Sequence, residues 1–466
     1  MRGFLASSVG VTCAAALALP LTLPATPAEA GPSTLTSEAA APGSTQSLPL
    51  VPLSRKRSLG PAAPTQGLTR RNVRPFSLVG VVWDDPGSEL NGRVQVRTRA
   101  VGTGDWSDWQ DVEAHNDEHA ADPDTAESAS SRVHGSTAPL WVGNSDGVEV
   151  RVEAERAAWD AGEASEPEDD AGGGPEYGRE AAPAAASLPG GLRLELVDPG
   201  GDPPSRDART AGRAGGAPSG LRARSAHPGV TGGGGAKATV IPALSREETA
   251  RTYFSDGTDQ RRATPYIGPR PRIITRHGWG ANENLRERGF LYTKTVKAAF
   301  VHHTASGNKY SCSQVPSIIR SIYRYHVVSS GWRDIGYNFL VDKCGNIYEG
   351  RAGGAAKAVM GAHTRGFNTN SMGIAVIGTF GATKPTDSAL KAVSRLTAWK
   401  LGLYGANPRG KTYLKSAGGN LYRKGKNVRL NVISGHRDGF ATECPGRLLY
   451  GKLGSARTTA ARYQGR

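Results

Sequence analysis

SMGIAVIG (371–378) is a near-continuous run of apolar and small residues, and its reading decides the fold. A strand that is apolar on both alternating faces must be covered on both, which is the condition of a sheet flanked by helices. Working outward, AAFVHH (298–303) reads as a companion strand with His302 close to its end. Between the two strands, Ser311 or Ser313 can cap a helix that has Pro316 in its first turn and Ile318, Ile319, Ile322 and Tyr323 on one face. YNFLVD (337–342) and IYEG (347–350), joined through Lys343-Cys344-Gly345-Asn346, read as a hairpin. Leu390, Val393, Leu396 and Leu403 recur at helical spacing over 386–403, and residues 446–463 read as a final helix. Strands alternating with helices predict an α/β domain over 269–466, a central mixed β-sheet flanked by helices.

Four side chains of that domain carry chemistry: His302 in VHHTA (301–305), Tyr337 in DIGYNF (334–339), and His436 and Cys444 in GHRDGFATECPG (435–446). Two imidazoles and a thiolate suit zinc, and three protein ligands leave a fourth position open, as hydrolytic sites require. Gly435, Gly439 and Pro445-Gly446 surround the last two, so a bent loop must bring both to one metal. A catalytic Cys-His nucleophile pair is the competing reading, and it leaves His302 and Tyr337 unexplained.

Together these segments resemble the zinc N-acetylmuramoyl-L-alanine amidases, which include the peptidoglycan recognition proteins and the phage lysozyme-type amidases. The resemblance covers residues 269–450. It implies a zinc hydrolase of the same α/β fold that cleaves the amide between the lactyl group of N-acetylmuramic acid and the L-alanine of the stem peptide. It also implies His302, His436 and Cys444 as metal ligands and Tyr337 as the tyrosine that stabilises the oxyanion. Phage-type members carry a lysine two residues before the cysteine; Thr442 stands at that catalytic position here, as in many recognition-protein amidases. His363 and Asn368, in GAHTRGFNTNSMGI (361–374), fall in a motif that lines the family's substrate groove. His303 and His326 read as structural, and Glu443 as either a base or a solvated carboxylate. Some relatives keep the groove and lose the metal, typically together with the cysteine, so a non-catalytic peptidoglycan-binding protein is the alternative function. A wall-adhesive protein acting through its N-terminal half is a third.

Residues 1–30 run from Met1-Arg2 through an apolar stretch to Ala28-Glu29-Ala30, the form of a secretory signal with its cleavage site. Pro20 and Pro24 interrupt the apolar run, and no later segment reads as a membrane span. An exported, cell-wall location is therefore expected. Cys13 would leave with the signal and Cys444 is the proposed ligand, so Cys312 and Cys344 are an even pair in an oxidising compartment and read as a disulfide. The resemblance supports that pairing.

Charge divides the chain. Residues 269–466 hold 32 Lys and Arg against 8 Asp and Glu, a net of +24, whereas the rest carries −9 of the overall +15. So basic an exported domain should be drawn to the anionic polymers that accompany peptidoglycan. Nucleic acid is disfavoured, since no recognition helix, finger or aromatic nucleic-acid motif accompanies the dispersed basic residues.

Upstream, residues 31–72, rich in Ala, Pro, Ser and Thr, read as a disordered spacer. FSLVGVVW (76–83), GRVQVRTRA (92–100), GVEVRVEA (147–154) and GLRLELVD (191–198) predict a small all-β, sandwich-like domain over 73–198, interrupted by a disordered acidic insert at about 155–190. Trp106 and Trp109 in GDWSDW could stack on sugar rings or pack in that domain, and packing is preferred. Residues 199–268, with GGGGA at 232–236, read as a flexible linker.

Overall fold

The computed structural model describes residues 42–53, 64–114, 116–155, 187–202, 238–254 and 265–466. The signal segment and much of the expected spacer, acidic insert and linker lie outside these residues. Among the described residues no helix is long and apolar enough to cross a membrane.

The N-terminal half is all β, with eight strands in one hydrogen-bonded sheet: β1 (Ser44–Pro49), β2 (Val51–Pro52), β3 (Thr65–Trp83), β4 (Gly92–Ala100), β5 (Gln110–Val112), β6 (Gly135–Ser136), β7 (Leu140–Ala154) and β8 (Arg193–Asp198). The order is β1-β8-β3-β7-β4-β5, with β2 and β6 also on β3, and every pairing is antiparallel. Alternating residues such as Val79, Val81, Val94, Val96, Val148, Val150, Val152, Leu194 and Leu196 form its core. Trp106 and Trp109 are interleaved with arginines: Arg70 and Arg97 approach Trp106, and Arg97 and Arg151 lie 4.9 and 4.3 Å from the Trp109 ring.

The spacer reading fails over its described part. β1 pairs with all six residues of β8, and β3 starts at Thr65 rather than near residue 73. A backbone ladder needs no large side chains, and the few apolar residues present, Leu48, Leu50 and Leu68, reach the core. The linker reading likewise fails at its C-terminal end. There β9 (Val240–Ile241) and α1 (Arg246–Phe254) form, and Thr249 Oγ1 accepts from the Arg270 N–H at 2.9 Å.

The C-terminal half is built on a seven-stranded mixed sheet. Its strands are β9, β10 (Ile273–Ile274), β11 (Ala298–His303), β12 (Phe339–Val341), β13 (Ile347–Glu349), β14 (Ser371–Val376) and, after the hairpin β15 (Lys411–Lys415) and β16 (Asn427–Asn431), β17 (Ile433–Gly435). The order is β17-β11-β14-β12-β13-β10-β9, with a parallel centre and antiparallel β12–β13 and β9–β10 pairs. Period-two alternation sends Val301, Met372, Ile374 and Val376 to one face, against α3 (Asp387–Gly402) and α5 (Leu453–Gln464), which follows the short α4 (Arg447–Tyr450). Leu340, Ala375 and Ile377 pack instead with α2 (Val315–Arg324). Ser311 and Gln314 form a capping box ahead of α2, and Thr386 caps α3 by accepting from the Ala389 N–H at 3.2 Å. Cys312 and Cys344 are disulfide-bonded, tying the start of α2 to the β12–β13 turn.

The outer side of α2 does not face water. Leu78 and Val82 of β3, Trp141 of β7 and Val197 of β8 join Ile318, Ile319, Ile322 and Tyr325 in the same cluster. The Tyr325 hydroxyl donates to the carbonyls of Thr137 (3.0 Å) and Val81 (3.3 Å). Gly80 is required opposite it, since any Cβ there would overlap the Tyr325 ring.

Candidate metal centre

Strand register brings the first two candidate ligands together. Val301 of β11 pairs with Gly435 of the parallel β17, so His302 and His436, each one residue further on, emerge side by side at the carboxyl ends of adjacent strands. Their ring centroids are 4.5 Å apart. After His436 the chain turns through His436–Asp438 and Gly439 and returns, and the Arg437 N–H donates to the Cys444 carbonyl at 3.1 Å, which holds Cys444 close to the two histidines. The Cys444 N–H donates to Thr442 Oγ1 (3.0 Å), and Cys444 Sγ accepts from the His303 N–H (3.4 Å) and lies 3.8 Å from His302 Nδ1. Gly446, at φ +84°, passes so close to the Phe380 and Gly381 backbone that no side chain fits there.

Each donor atom is held for a cation. His436 Nε2 lies 3.2 Å from the Glu118 carbonyl, which can only accept, so Nε2 carries the proton and the buried, otherwise unpartnered Nδ1 presents its lone pair. His302 Nε2 lies 3.4 Å from Thr364 Oγ1, which in turn is 3.1 Å from His363 Nδ1, leaving His302 Nδ1 to face the thiol. All three side chains are 0% exposed. Burial holds the His436 imidazole down to about 3 and His302 well below its ordinary value, so both are in the neutral, ligating form. Burial, then Glu118, pushes the Cys444 thiol upward, the desolvation cost that a divalent cation offsets. Orphaned nitrogens, neutral imidazoles and a soft sulfur fit zinc.

Tyr337 stands beside this cluster, its ring centroid 5.6 Å from that of His302. Burial, with Cys444 and Glu118 nearby, raises its phenol well above the usual value, so it stays a donor. Thr442 donates to Glu118 Oε1 at 2.5 Å while accepting from Cys444. His363 and Asn368 are both buried rather than open to a groove. Asn368 Oδ1 accepts from the N–H groups of His363 (2.7 Å) and Thr364 (3.1 Å), and its Nδ2 donates to Asp122 Oδ1 (2.7 Å). His303 lies 3.6 Å from Glu113, His326 Nδ1 accepts from the Gly336 N–H, and the solvated Glu443 pairs with Arg437.

Two residues at the site escaped the sequence reading. His119, from the loop between β5 and β6, places Nε2 3.7 Å from Cys444 Sγ and its ring 4.6 Å from that of His436, completing a buried group of His119, His302, His436 and Cys444. Glu118 precedes it and contacts both Thr442 and His436. The only local signal was a histidine in the acidic stretch DEHAADPD (117–124), which no motif spacing ties to residues of another domain.

Comparisons with known proteins agree with this architecture. Residues 292–447 match the family described as N-acetylmuramoyl-L-alanine amidase, and residues 30–182 match one described as Rv3811 N-terminal galactose-binding domain-like. Peptidoglycan-recognition protein SC1a of Drosophila melanogaster is 31% identical over 192 residues, which is 40% of this chain and 87% of that protein. Peptidoglycan-recognition protein SC2 of the same fly is 28% identical over 181 residues, 39% of this chain and 84% of that protein. The human N-acetylmuramoyl-L-alanine amidase is 32% identical over 218 residues, 46% of this chain and 32% of that protein. With this donor set on this mixed sheet, and the two fly proteins matched over most of their length, the chain belongs to the N-acetylmuramoyl-L-alanine amidase family that includes the peptidoglycan-recognition proteins.

Proposed function

We propose that this protein is an exported, zinc-dependent peptidoglycan hydrolase that cleaves the amide between N-acetylmuramic acid and the L-alanine of the stem peptide. The observation that carries the reading is the convergence of His302 Nδ1, His436 Nδ1 and Cys444 Sγ in one buried cluster beside Tyr337. Zinc bound there supplies Lewis acidity for the scissile carbonyl and for water. Tyr337 would donate a hydrogen bond to the carbonyl oxygen as negative charge develops on it, keeping its proton. Thr442 acts through the Cys444 N–H as a positioning residue of the ligand loop rather than by touching substrate. His363, through Thr364, orients His302, and Asn368 fixes the backbone of the 363–368 loop, so the groove role read from sequence is indirect. The excess positive charge of residues 269–466 draws the domain to the anionic polymers of the bacterial wall.

The alternative, recognition without hydrolysis, is disfavoured by the thiol. A binding groove needs no soft ligand, and two imidazoles with a thiol in this arrangement are what hydrolysis needs. The test is mass spectrometry of wall digested with the zinc-loaded full chain. Stem peptides with a free N-terminal L-alanine, released only in the presence of zinc, are the expected product. Cleavage at any other bond, or equal release after zinc is stripped, would reject the assignment.

A further inference from the structure

We propose that His119 is the fourth ligand of this metal centre and that the loop bearing it, residues 118–127, is a plug that keeps the enzyme latent. The inference rests on the zinc-amidase reading above for the activity that the plug silences. With zinc–sulfur and zinc–nitrogen bonds of about 2.3 and 2.0–2.1 Å, the edge of a tetrahedral site between sulfur and nitrogen is about 3.6 Å. Cys444 Sγ lies 3.8 Å from His302 Nδ1 and 3.7 Å from His119 Nε2, so His119 occupies a vertex as good as that of an expected ligand. A hydrolytic site must keep one vertex for water and substrate, whereas four protein side chains make the closed sphere of a structural zinc. Consistent with closure, His302, His436 and Cys444 are wholly buried, and His119 and Glu118 are 4% and 2% exposed.

The loop is anchored along its length. The Glu118 carbonyl accepts from the Arg365 N–H (2.9 Å) as well as from His436, and its carboxylate takes the Thr442 hydroxyl. Asp122 Oδ1 accepts from the N–H groups of Gly366 (2.8 Å) and Asn368 (3.2 Å) and from Asn368 Nδ2. Glu127 forms a buried bidentate pair with Arg351 at 2.8 and 2.9 Å. These carboxylates come from the net-acidic half of the chain and occupy cationic and N–H groups of the basic half. The loop and the surface it lies on are complementary in charge, which an incidental contact would not require. Turnover then requires the loop to withdraw, and the measured rate scales with the fraction of molecules in which it has done so.

The test uses the full chain with His119→Ala, read by zinc affinity from chelator competition and by X-ray absorption at the zinc edge. The wild type should show three imidazoles and one sulfur. The variant should show two imidazoles and one sulfur, at least a ten-fold weaker zinc affinity, and wall hydrolysis raised about ten-fold or more. Glu127→Gln, remote from the metal, should also raise hydrolysis while keeping three imidazoles, and it serves if His119→Ala does not fold. An unchanged imidazole count and affinity in His119→Ala, or hydrolysis that rises in neither variant of a wild type that cleaves wall measurably, would overturn the proposal. If imidazoles fall from three to two yet no form cleaves wall, the ligand assignment stands and the amidase reading fails.

Discussion

Removing one hydroxyl, with Tyr337→Phe, separates the proposed oxyanion donor from the proposed metal. The ring is 4% exposed and packed 5.6 Å from His302 and 5.8 Å from His326, contacts that phenylalanine retains. The residue's backbone carbonyl keeps its bond from the Arg351 N–H at 2.8 Å. Neither the fold nor the zinc ligands should therefore change. Losing a preorganised donor in a site shielded from water costs about 2.7–4 kcal/mol of transition-state stabilisation, or a fall of roughly 10²–10³-fold in turnover. Because Tyr337 remains protonated well above its ordinary range, the loss should be similar at every pH from 6 to 9 in ~one-unit steps. The assay is turnover of a soluble muropeptide in the open His119→Ala background, with zinc content and melting temperature measured on the same samples. Near-normal turnover at full zinc occupancy would remove Tyr337 from the mechanism. A large drop in melting temperature with turnover preserved would make the hydroxyl a matter of packing.

Three further outcomes are expected. Cys444→Ser, which replaces a soft ligand by a poorly acidic hydroxyl, should abolish hydrolysis and lose most bound zinc, and one zinc per chain with full activity would refute the ligand assignment. Cys312→Ser opens the Cys312–Cys344 bridge and should lower stability by about 2–4 kcal/mol, seen as an earlier denaturant midpoint; an unchanged midpoint would refute it. Lys400, held down to about 7 by burial while donating to the carbonyls of Ala355 and Lys357, binds its proton less tightly folded than unfolded, where the value is 10.5. Between those values the unfolded chain holds more protons, so this residue makes stability rise with pH from about 7 to 10.5, and below about 7, where both states hold the proton, its contribution no longer changes; Lys400→Met should flatten that rise, and parallel melting profiles for the two proteins would exclude it.

The C-terminal half was legible because its signals are local. The apolar run at 371–378 required a doubly covered strand, and the pairing of β11 with β14 along all six of its residues is that strand in place. His302 and His436 could be named because each sits at a strand end beside residues of a short motif, and register does the rest. Composition misled at 44–52 and 65–72, where backbone pairing to β8, β3 and β7 orders a segment with few apolar side chains. His119 was invisible for a different reason. A ligand delivered from another domain obeys no spacing rule, and the docking of two sheets through α2, which brings it there, leaves no periodic trace.

That docking also fixes how the molecule can be dissected. The described residues from 42 onward belong to one compact unit, and α2 is covered by the mixed sheet on one side and by Leu78, Val82, Trp141 and Val197 on the other. Excising the amidase half would bare a contiguous apolar stripe and strand the Tyr325 hydroxyl without its two carbonyls, the kind of surface that drives self-association. The two halves should accordingly melt in a single calorimetric transition, and an isolated C-terminal half should self-associate unless the surface around Tyr325 is made more polar.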